Sequence, residues 1–330
     1  MRVMITGSAG LIGGFLTKHC MDAGSSVFGI DIREPGDRWA GRDFECCDVR
    51  DFARMSELMS TFRPDCIFHL AAQSYPTVSW SHPRETMDTN AGGTINLFEC
   101  LRASGMKPVV VVACSSAEYG PVATKDLPVQ ETHALSPLHP YGVSKVTQDL
   151  LAAQYFANYS IPAIRIRIFK TTGPGKLGDV CSDLTKRAVE IEMGMRPPLL
   201  AVGNIENRRT IVDVRDLVQA LWLSAEHCRA GEVYNLGGDD SYSVGEIIEA
   251  IRAQLTLNFD VDQRPELMRT CDERIIAGDN AKFRSCCTWT PKIRLEATLR
   301  DMLEWWRVQL AVPAQPQPQQ EMARVHNLGC

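Results

Sequence analysis

Tyr141 and Lys145, set in Tyr-Gly-Val-Ser-Lys, are the residues of this chain best suited to chemistry. Residues four apart on a helix share a face, with β-carbons about 5–6 Å apart. There the Lys145 ammonium favours tyrosinate and is expected to lower the phenol's pKa toward the working pH. Ser115 lies upstream in Cys114-Ser-Ser-Ala-Glu-Tyr-Gly120, at the end of an apolar run. Its hydroxyl would hydrogen-bond the substrate oxygen that Tyr141 protonates. These three residues are the expected catalytic set.

A proton donor of this kind needs a redox partner, and the N-terminus provides for one. Gly7-x-x-Gly10-x-x-Gly13 follows an apolar run and opens a helical pattern. In that context the glycines let the backbone, including Gly10, Leu11, Ile12 and Gly13, approach a pyrophosphate at the helix N-terminus. The next strand pattern ends at Asp31, whose carboxylate would accept hydrogen bonds from adenosine ribose hydroxyls and repel a 2′-phosphate. That favours NAD, while nearby Arg33 leaves NADP open. Asp48-Val49 would meet the adenine edge. Leu70, Ala71, Ala72 and Gln73 would lie against the cofactor, and His69 reads as a packed histidine.

Strands over 3–6, 26–30, 66–70, 109–113 and 163–168 must position these groups, alternating with helices over 11–23, 55–62, 94–103 and 143–157. Such alternation of near-continuous apolar strands with amphipathic helices predicts an α/β Rossmann doubly wound parallel sheet. After Gly173-Pro-Gly175 the alternation loosens, which predicts a smaller, interleaved C-terminal α/β substrate domain. Residues 1–168 with about 212–236 form the dinucleotide-binding domain. About 169–211 and 237–312 form the substrate domain, with helices over 182–193, 244–254 and 295–308. Residues 313–330 are rich in Pro and Gln and are expected to be a disordered tail.

The bulk composition excludes several classes. At 330 residues with a net charge of −5 and a pI near 5.9, the chain shows no nucleic-acid footprint. No apolar run reaches the roughly 20 residues that span a bilayer, and no signal peptide fits before the first strand. Its 12 cysteines contain no Cys-x-x-Cys and scatter through apolar segments, so reduced thiols, no metal and a cytoplasmic location are expected.

Together the glycine motif, His69-Leu-Ala-Ala72, Thr89-Asn90-x-x-Gly93-Thr94, Ser115-Ser-x-x-Tyr-Gly120 and Pro140-Tyr-Gly-x-Ser-Lys145 resemble the extended short-chain dehydrogenase/reductase family acting on nucleotide sugars. The resemblance runs from residue 1 to about 308. It implies that Tyr141 is the general acid/base, Lys145 its partner on the nicotinamide ribose, and Ser115 the third member. The second half, with Val202-Gly-Asn204, Arg208-Arg209 and Val212–Trp222, is similar to the branch handling GDP-mannose derivatives. In that branch Arg209 and Arg269 would clamp the diphosphate and Asp272 would hold the nucleotide ribose. Gln73, Ser116, Glu118, Lys170, Val202 and Asn204 complete the implied substrate cradle.

Dehydratases of the family place a Glu two residues before the Tyr-Gly of the serine segment; here that residue is Ala117, with Glu118 shifted by one. This favours a 4-epimerase or a reductase, the latter by hydride transfer at C4 of a GDP-4-keto-6-deoxy-hexose. A 4-epimerase, a dehydratase or a decarboxylase stays open, and a non-catalytic dinucleotide-binding regulator is the alternative from another class. Lys170 stands where the family has Asn, and Thr210 where the branch has an acid. Family members pair through two helices, here 94–103 and 141–157, so the resemblance implies a homodimer with a four-helix bundle, a tetramer being open.

Overall fold

The computed structural model describes residues 1–34, 43–267 and 276–311. Arg269, Asp272 and the tail 313–330 therefore lie outside the described residues. The first half runs β1 (Arg2–Thr6), α1 (Leu11–Asp22), β2 (Ser26–Asp31), β3 (Phe44–Cys46), α2 (Phe52–Phe62) and β4 (Cys66–His69). Two short helices, α3 (Pro76–Ser81) and α4 (Pro83–Met87), lead through a π-helical turn at Asp88–Gly92 into α5 (Gly93–Ser104). Then come β5 (Val109–Ser115), a 3₁₀ turn at Ser116–Glu118, α6 (Pro140–Tyr159) and β6 (Ala163–Ile168).

The second half begins with β7 (Thr171–Thr172), α7 (Val180–Glu192), β8 (Leu199–Val202), β9 (Arg208–Thr210) and β10 (Val212–Asp213). It continues with α8 (Val214–His227), β11 (Val233–Leu236), β12 (Ser241–Ser243), α9 (Val244–Arg252) and β13 (Asp260–Gln263). Helices α10 (Ala281–Cys286) and α11 (Leu295–Ala311) follow.

Seven strands form one sheet in the order β3-β2-β1-β4-β5-β6-β11, and every pairing is parallel. The period of two in each strand divides its apolar residues between two cores. Val3 and Ile5 face one core with Phe68, Val111, Ile166 and Leu217, beneath α1 and α8. Met4 faces the other with Ile67, Val110, Val112, Phe98 and Leu101, beneath α2, α5 and α6. Burying each such side chain stabilises the fold by about 1.5–3 kcal/mol, so a slip of register in β1 would exchange both sets.

A third core gathers Leu184, Ile191, Leu200, Ile247, Ile251, Leu299 and Leu303 from α7, β8, α9 and α11. Polar anchors join it to the first sheet. Asp213, which caps α8, accepts from Arg215 N at 2.8 Å and from Thr298 Oγ1 on α11 at 2.7 Å. Among the described residues no helix is long and apolar enough to cross a membrane.

Candidate active site

The carboxyl ends of β1, β2, β4 and β5 gather the expected cofactor residues on one edge of the sheet. At the turn after β1, Gly7 has a φ of +71°, and a β-carbon there would stand 2.7 Å from Ala71 N. A β-carbon at Gly13 would stand 2.2 Å from the Gly7 carbonyl oxygen. Glycine is thus required at both places by close approach of the backbone. Helix α1 starts at Gly10 with no side-chain cap and no acidic residue in its first turn, leaving its N–H groups for an anion. Ser8 Oγ is buried without a hydrogen-bond partner beside them.

At the end of β2, Asp31 accepts from Ala9 N at 3.0 Å and from Arg33 Nε at 3.2 Å. Arg33 is therefore committed to the carboxylate that sequence reasoning set it against. Asp48 pairs with Arg50 at 2.6 Å. The Val49 side chain is buried beneath Gly93, where a β-carbon would come within 2.6 Å of it, and its carbonyl accepts from Asn96 Nδ2 at 3.1 Å, so the side chain does not face a ligand. Gln73 is a brace for its turn: its side chain donates to Tyr75 O and Thr86 Oγ1, and its N–H donates to Asn90 Oδ1 at 2.8 Å. His69 is buried between two threonine hydroxyls, as a packed histidine should be.

The chemistry residues meet where β5 ends against the start of α6. His139 caps α6 by accepting from Gly142 N at 2.9 Å, and Pro140 opens its first turn. Gly142 belongs to the motif because the helix closes on the serine turn: a β-carbon there would lie 2.7 Å from Ala117 O. Ser144 donates to Tyr141 O at 2.7 Å and accepts from Asn90 Nδ2 at 2.8 Å, fixing the tyrosine backbone to the π-helical turn. The Ser115 hydroxyl lies near enough to the Tyr141 phenol to favour its ionised form. Lys145 Nζ lies 5.8 Å from the Tyr141 ring and donates to Ala113 O at 2.8 Å.

The electrostatics depart from the sequence expectation. Burial pushes the Tyr141 phenol up to about 12, against the pull of the Ser115 hydroxyl, with Glu118 and Cys114 nearby adding to the rise. Burial also draws Lys145 down to about 8, partly offset by Cys114 and Glu118. Desolvation therefore outweighs the Ser115 contact, and burial favours the neutral phenol in the protein alone.

Glu118 also departs from its expected role. It is fully buried, and its carboxylate accepts from Ser115 N at 2.8 Å and Arg167 Nε at 3.1 Å. It lies behind the serine rather than in a substrate cradle. Ser116 is partly exposed on the same turn. Val202 is buried in the third core, and Asn204 accepts from Glu206 N at 2.9 Å to close a turn. Arg208 pairs with Glu246 at 3.1 Å and so belongs to the β9–α9 scaffold, while Arg209 Nη1 donates to Arg208 O. Lys170, at the end of β6, shares one electrostatic neighbourhood with Arg209, Lys176 and Asp179.

Asn90, Ser144, Asp149 and Arg167 were not foreseen in their roles. The signal for Arg167 was in Ala163-Ile-Arg-Ile-Arg-Ile168, since a charge inside an apolar strand must find a partner. The groups Cys114, Glu118 and Asp149 lie close enough together to ligate a cation, but both carboxylates are engaged by Arg167.

With this geometry established, known proteins give a consistent match. A family model described as GDP-mannose 4,6 dehydratase matches residues 4–302. The chain belongs to that family. It is an enzyme of the extended short-chain dehydrogenase/reductase type. GDP-6-deoxy-D-mannose reductase from Pseudomonas aeruginosa is 30% identical over 244 residues, 74% of this chain and 80% of that protein. The solved structure of RMD from Pseudomonas aeruginosa complexed with NADPH superposes with a TM-score of 0.83, covering 93% of this chain and 99% of that one at 26% identity. The UDP-glucose 4-epimerase of Thermus thermophilus in complex with NAD gives a TM-score of 0.82, 93% and 99% coverage and 25% identity. The family match takes in the glycine turn, Ser115, Tyr141, Lys145 and the third core alike.

Proposed function

We propose that this family member is an NAD(P)H-dependent reductase of a GDP-linked 4-keto-6-deoxy-hexose, with Tyr141 as the proton donor. The pair Ala117 and Glu118 argues against the dehydratase. Position 117, where dehydratases of the family hold a base, has none, and the carboxylate next to it is bound to Arg167 in the core. The similarity to a GDP-6-deoxy-D-mannose reductase carries the choice of reductase over epimerase.

The residues around the glycine turn fit a dinucleotide: Gly7, Gly10 and Gly13 would admit the pyrophosphate, Asp31 the adenosine ribose, and Lys145 the nicotinamide ribose. When bound, that group supplies the hydride for the sugar C4. Tyr141 Oη gives its proton to the C4 oxygen, and Ser115 Oγ donates a hydrogen bond to the same oxygen. Lys145 holds its charge beside the tyrosinate that forms. Lys170, Lys176 and Arg209 supply positive charge for a diphosphate, and the unit built on the third core is the sugar-nucleotide half.

A second copy is the proposed partner. Ile95 on α5 with Val143 and Leu150 on α6 leave large apolar side chains exposed. Pairing these faces would complete a four-helix bundle, as the family resemblance implies. The ten described free cysteines suit a reducing cytoplasm.

A self-regenerating 4-epimerase is the second reading, supported by the likeness to the Thermus enzyme. Releasing the nucleotide from freshly purified, denatured protein tests both. A site without stoichiometric NAD that oxidises added NADPH or NADH with GDP-4-keto-6-deoxy-mannose is the expected result. Tightly held NAD with no such turnover would overturn the reductase reading in favour of the epimerase.

A further inference from the structure

We propose that Glu118 is a positioning residue for Ser115, held in a buried bracket with Arg167 and Asp149 that ties the end of β5 to α6. The proposal rests on Ser115, Tyr141 and Lys145 being the catalytic set. Tyr141, Lys145 and Asp149 follow one another at four-residue spacing on α6, so they share one face. Arg165 and Arg167, two apart on β6, share one face of the sheet below it. Asp149 accepts from Arg165 Nη1 at 2.6 Å and from Arg167 Nε at 2.9 Å. The same Arg167 Nε reaches Glu118 at 3.1 Å, and Glu118 receives the Ser115 N–H at 2.8 Å.

The bracket is well satisfied. Arg167 Nη1 donates to the Tyr119 hydroxyl at 2.9 Å and to Glu131 O at 3.0 Å, and Tyr119 passes its own proton to Asn235 Oδ1 at 2.6 Å. Glu118, Asp149, Tyr119 and Asn235 are fully buried. An apolar cluster would stabilise this part of the fold at least as well, because buried ion pairs lose their hydration. What the ions add is directional constraint, and the backbone they constrain belongs to Ser115. Ser115 is the last residue of its strand, with an extended φ of −150°, and its hydroxyl also accepts from Ala117 N at 3.2 Å. With Gln at position 118 the one amide oxygen can serve either the Ser115 N–H or Arg167 Nε while the amide nitrogen accepts from neither, so the tie from Ser115 to Arg167 is broken and the hydroxyl facing Tyr141 loses its reference to α6. Displacements of about 1 Å in such groups cost on the order of 100-fold in turnover.

Steady-state kinetics of the full-length enzyme with NADPH and GDP-4-keto-6-deoxy-mannose test this. The set is wild type, Glu118→Gln, Ser115→Ala and the double variant. Glu118→Gln is expected to lower kcat by about 10- to 100-fold while both KM values stay within about twofold. In the Ser115→Ala background the same change should cost less than about threefold, because a residue acting through Ser115 has nothing left to position. Tyr119→Phe breaks the network on its Asn235 side. It should lower the melting temperature and leave kcat within about threefold of wild type. A wild-type kcat in Glu118→Gln, an equal loss in both backgrounds, or a matching loss in Tyr119→Phe would overturn the proposal. If Glu118→Gln does not fold, Glu118→Asp carries the same cycle, since it keeps the carboxyl group but draws it back from the Ser115 N–H. Full turnover in Ser115→Ala would remove the functional reading itself; an inactive Ser115→Ala beside a normal Glu118→Gln removes the positioning role alone.

Discussion

Lys145 Nζ donates to the Ala113 carbonyl at 2.8 Å, so the ammonium is anchored to the strand that delivers Ser115. One of its three protons is used in holding helix to sheet, and on the proposed mechanism the other two would serve a ribose and the phenolate formed when Tyr141 gives up its proton. The lysine is thus fixed in place by the strand and does not ionise the tyrosine beforehand.

Replacing Tyr141 with Phe removes the proposed proton donor and leaves intact the Ser144 bond to its backbone carbonyl, with Asn90 behind Ser144. Turnover should fall by about 10²–10⁴-fold, the usual worth of a positioned acid. Dinucleotide affinity, read by quenching of protein fluorescence, should stay within about threefold of wild type. A loss of dinucleotide binding in this variant would make the tyrosine structural.

The anchored lysine titrates near the working range, since burial draws it to about 8. Below that pH it is the ammonium that both ribose and phenolate require, and above it the charge is gone. The kcat/KM profile for the reduction, which reports the free enzyme, should therefore fall as pH rises through about 8. Lys145→Arg keeps its charge and should lack that limb even if its overall rate is low. An unchanged limb in the Arg variant would assign the titration to another group.

On the proposed reading, Asp31 and Arg33 act on the dinucleotide preference in opposition. As long as Arg33 stays on the Asp31 carboxylate, the ribose site presents a neutralised pair. Asp31→Ser should free Arg33 for a 2′-phosphate and shift the NADPH-to-NADH ratio of kcat/KM upward by about tenfold or more, the worth of one charge-assisted bond. Arg33→Ala should move it the other way. A ratio that does not respond to either change would place selectivity elsewhere.

His69 gives a stability prediction. Thr94 sends its hydroxyl proton to Asn90 O, so it can only accept from His69 Nε2, which leaves His69 Nδ1 to accept from Thr6. The neutral ring satisfies both contacts, and burial lowers its pKa to about 3, with Lys145 adding to the drop. The unfolded chain binds a proton on this ring below about 6.5, while the native chain does not. Stability from this group is therefore present above that pH and is lost as pH falls toward 3, by at most about 1.4 kcal/mol per unit. His69→Gln should have a shallower acid slope in melting experiments than wild type. Parallel slopes in the two proteins would show that the ring is charged in the fold.

The fold was legible because strand and helix periods alternate so regularly before residue 168. Runs such as 109–113 and 163–168 carry the β-branched density of strands buried on both faces. Helix α8 was hidden inside Val212–Trp222, which read as a motif rather than as an element, since its 14 residues begin directly on a strand. In the site, spacing found Tyr141 and Lys145 because helical geometry is local. It could not find the direction of the Tyr141 shift, because desolvation depends on everything that covers a group. Glu118 was misplaced for a related reason. A carboxylate beside a catalytic serine reads as a ligand group until the Arg167 that claims it, 49 residues later in the chain, is brought alongside. The two short π-helical and 3₁₀ turns that seat Asn90 and Ser115 have no periodicity to read at all.

The edge position of β11 makes the order of synthesis matter. The cofactor sheet is complete only when residues 233–236 pair with β6, and α1 is covered only when 214–227 arrive. By then the ribosome has already released α7 and β8, which belong to the other core. A nascent chain must therefore hold an open sheet edge, with the Arg165 and Arg167 strand unprotected on one side, while it starts a second core. A gene fragment ending at residue 168 would leave the β6 edge open and α1 uncovered, and is expected to aggregate rather than stand as a free module.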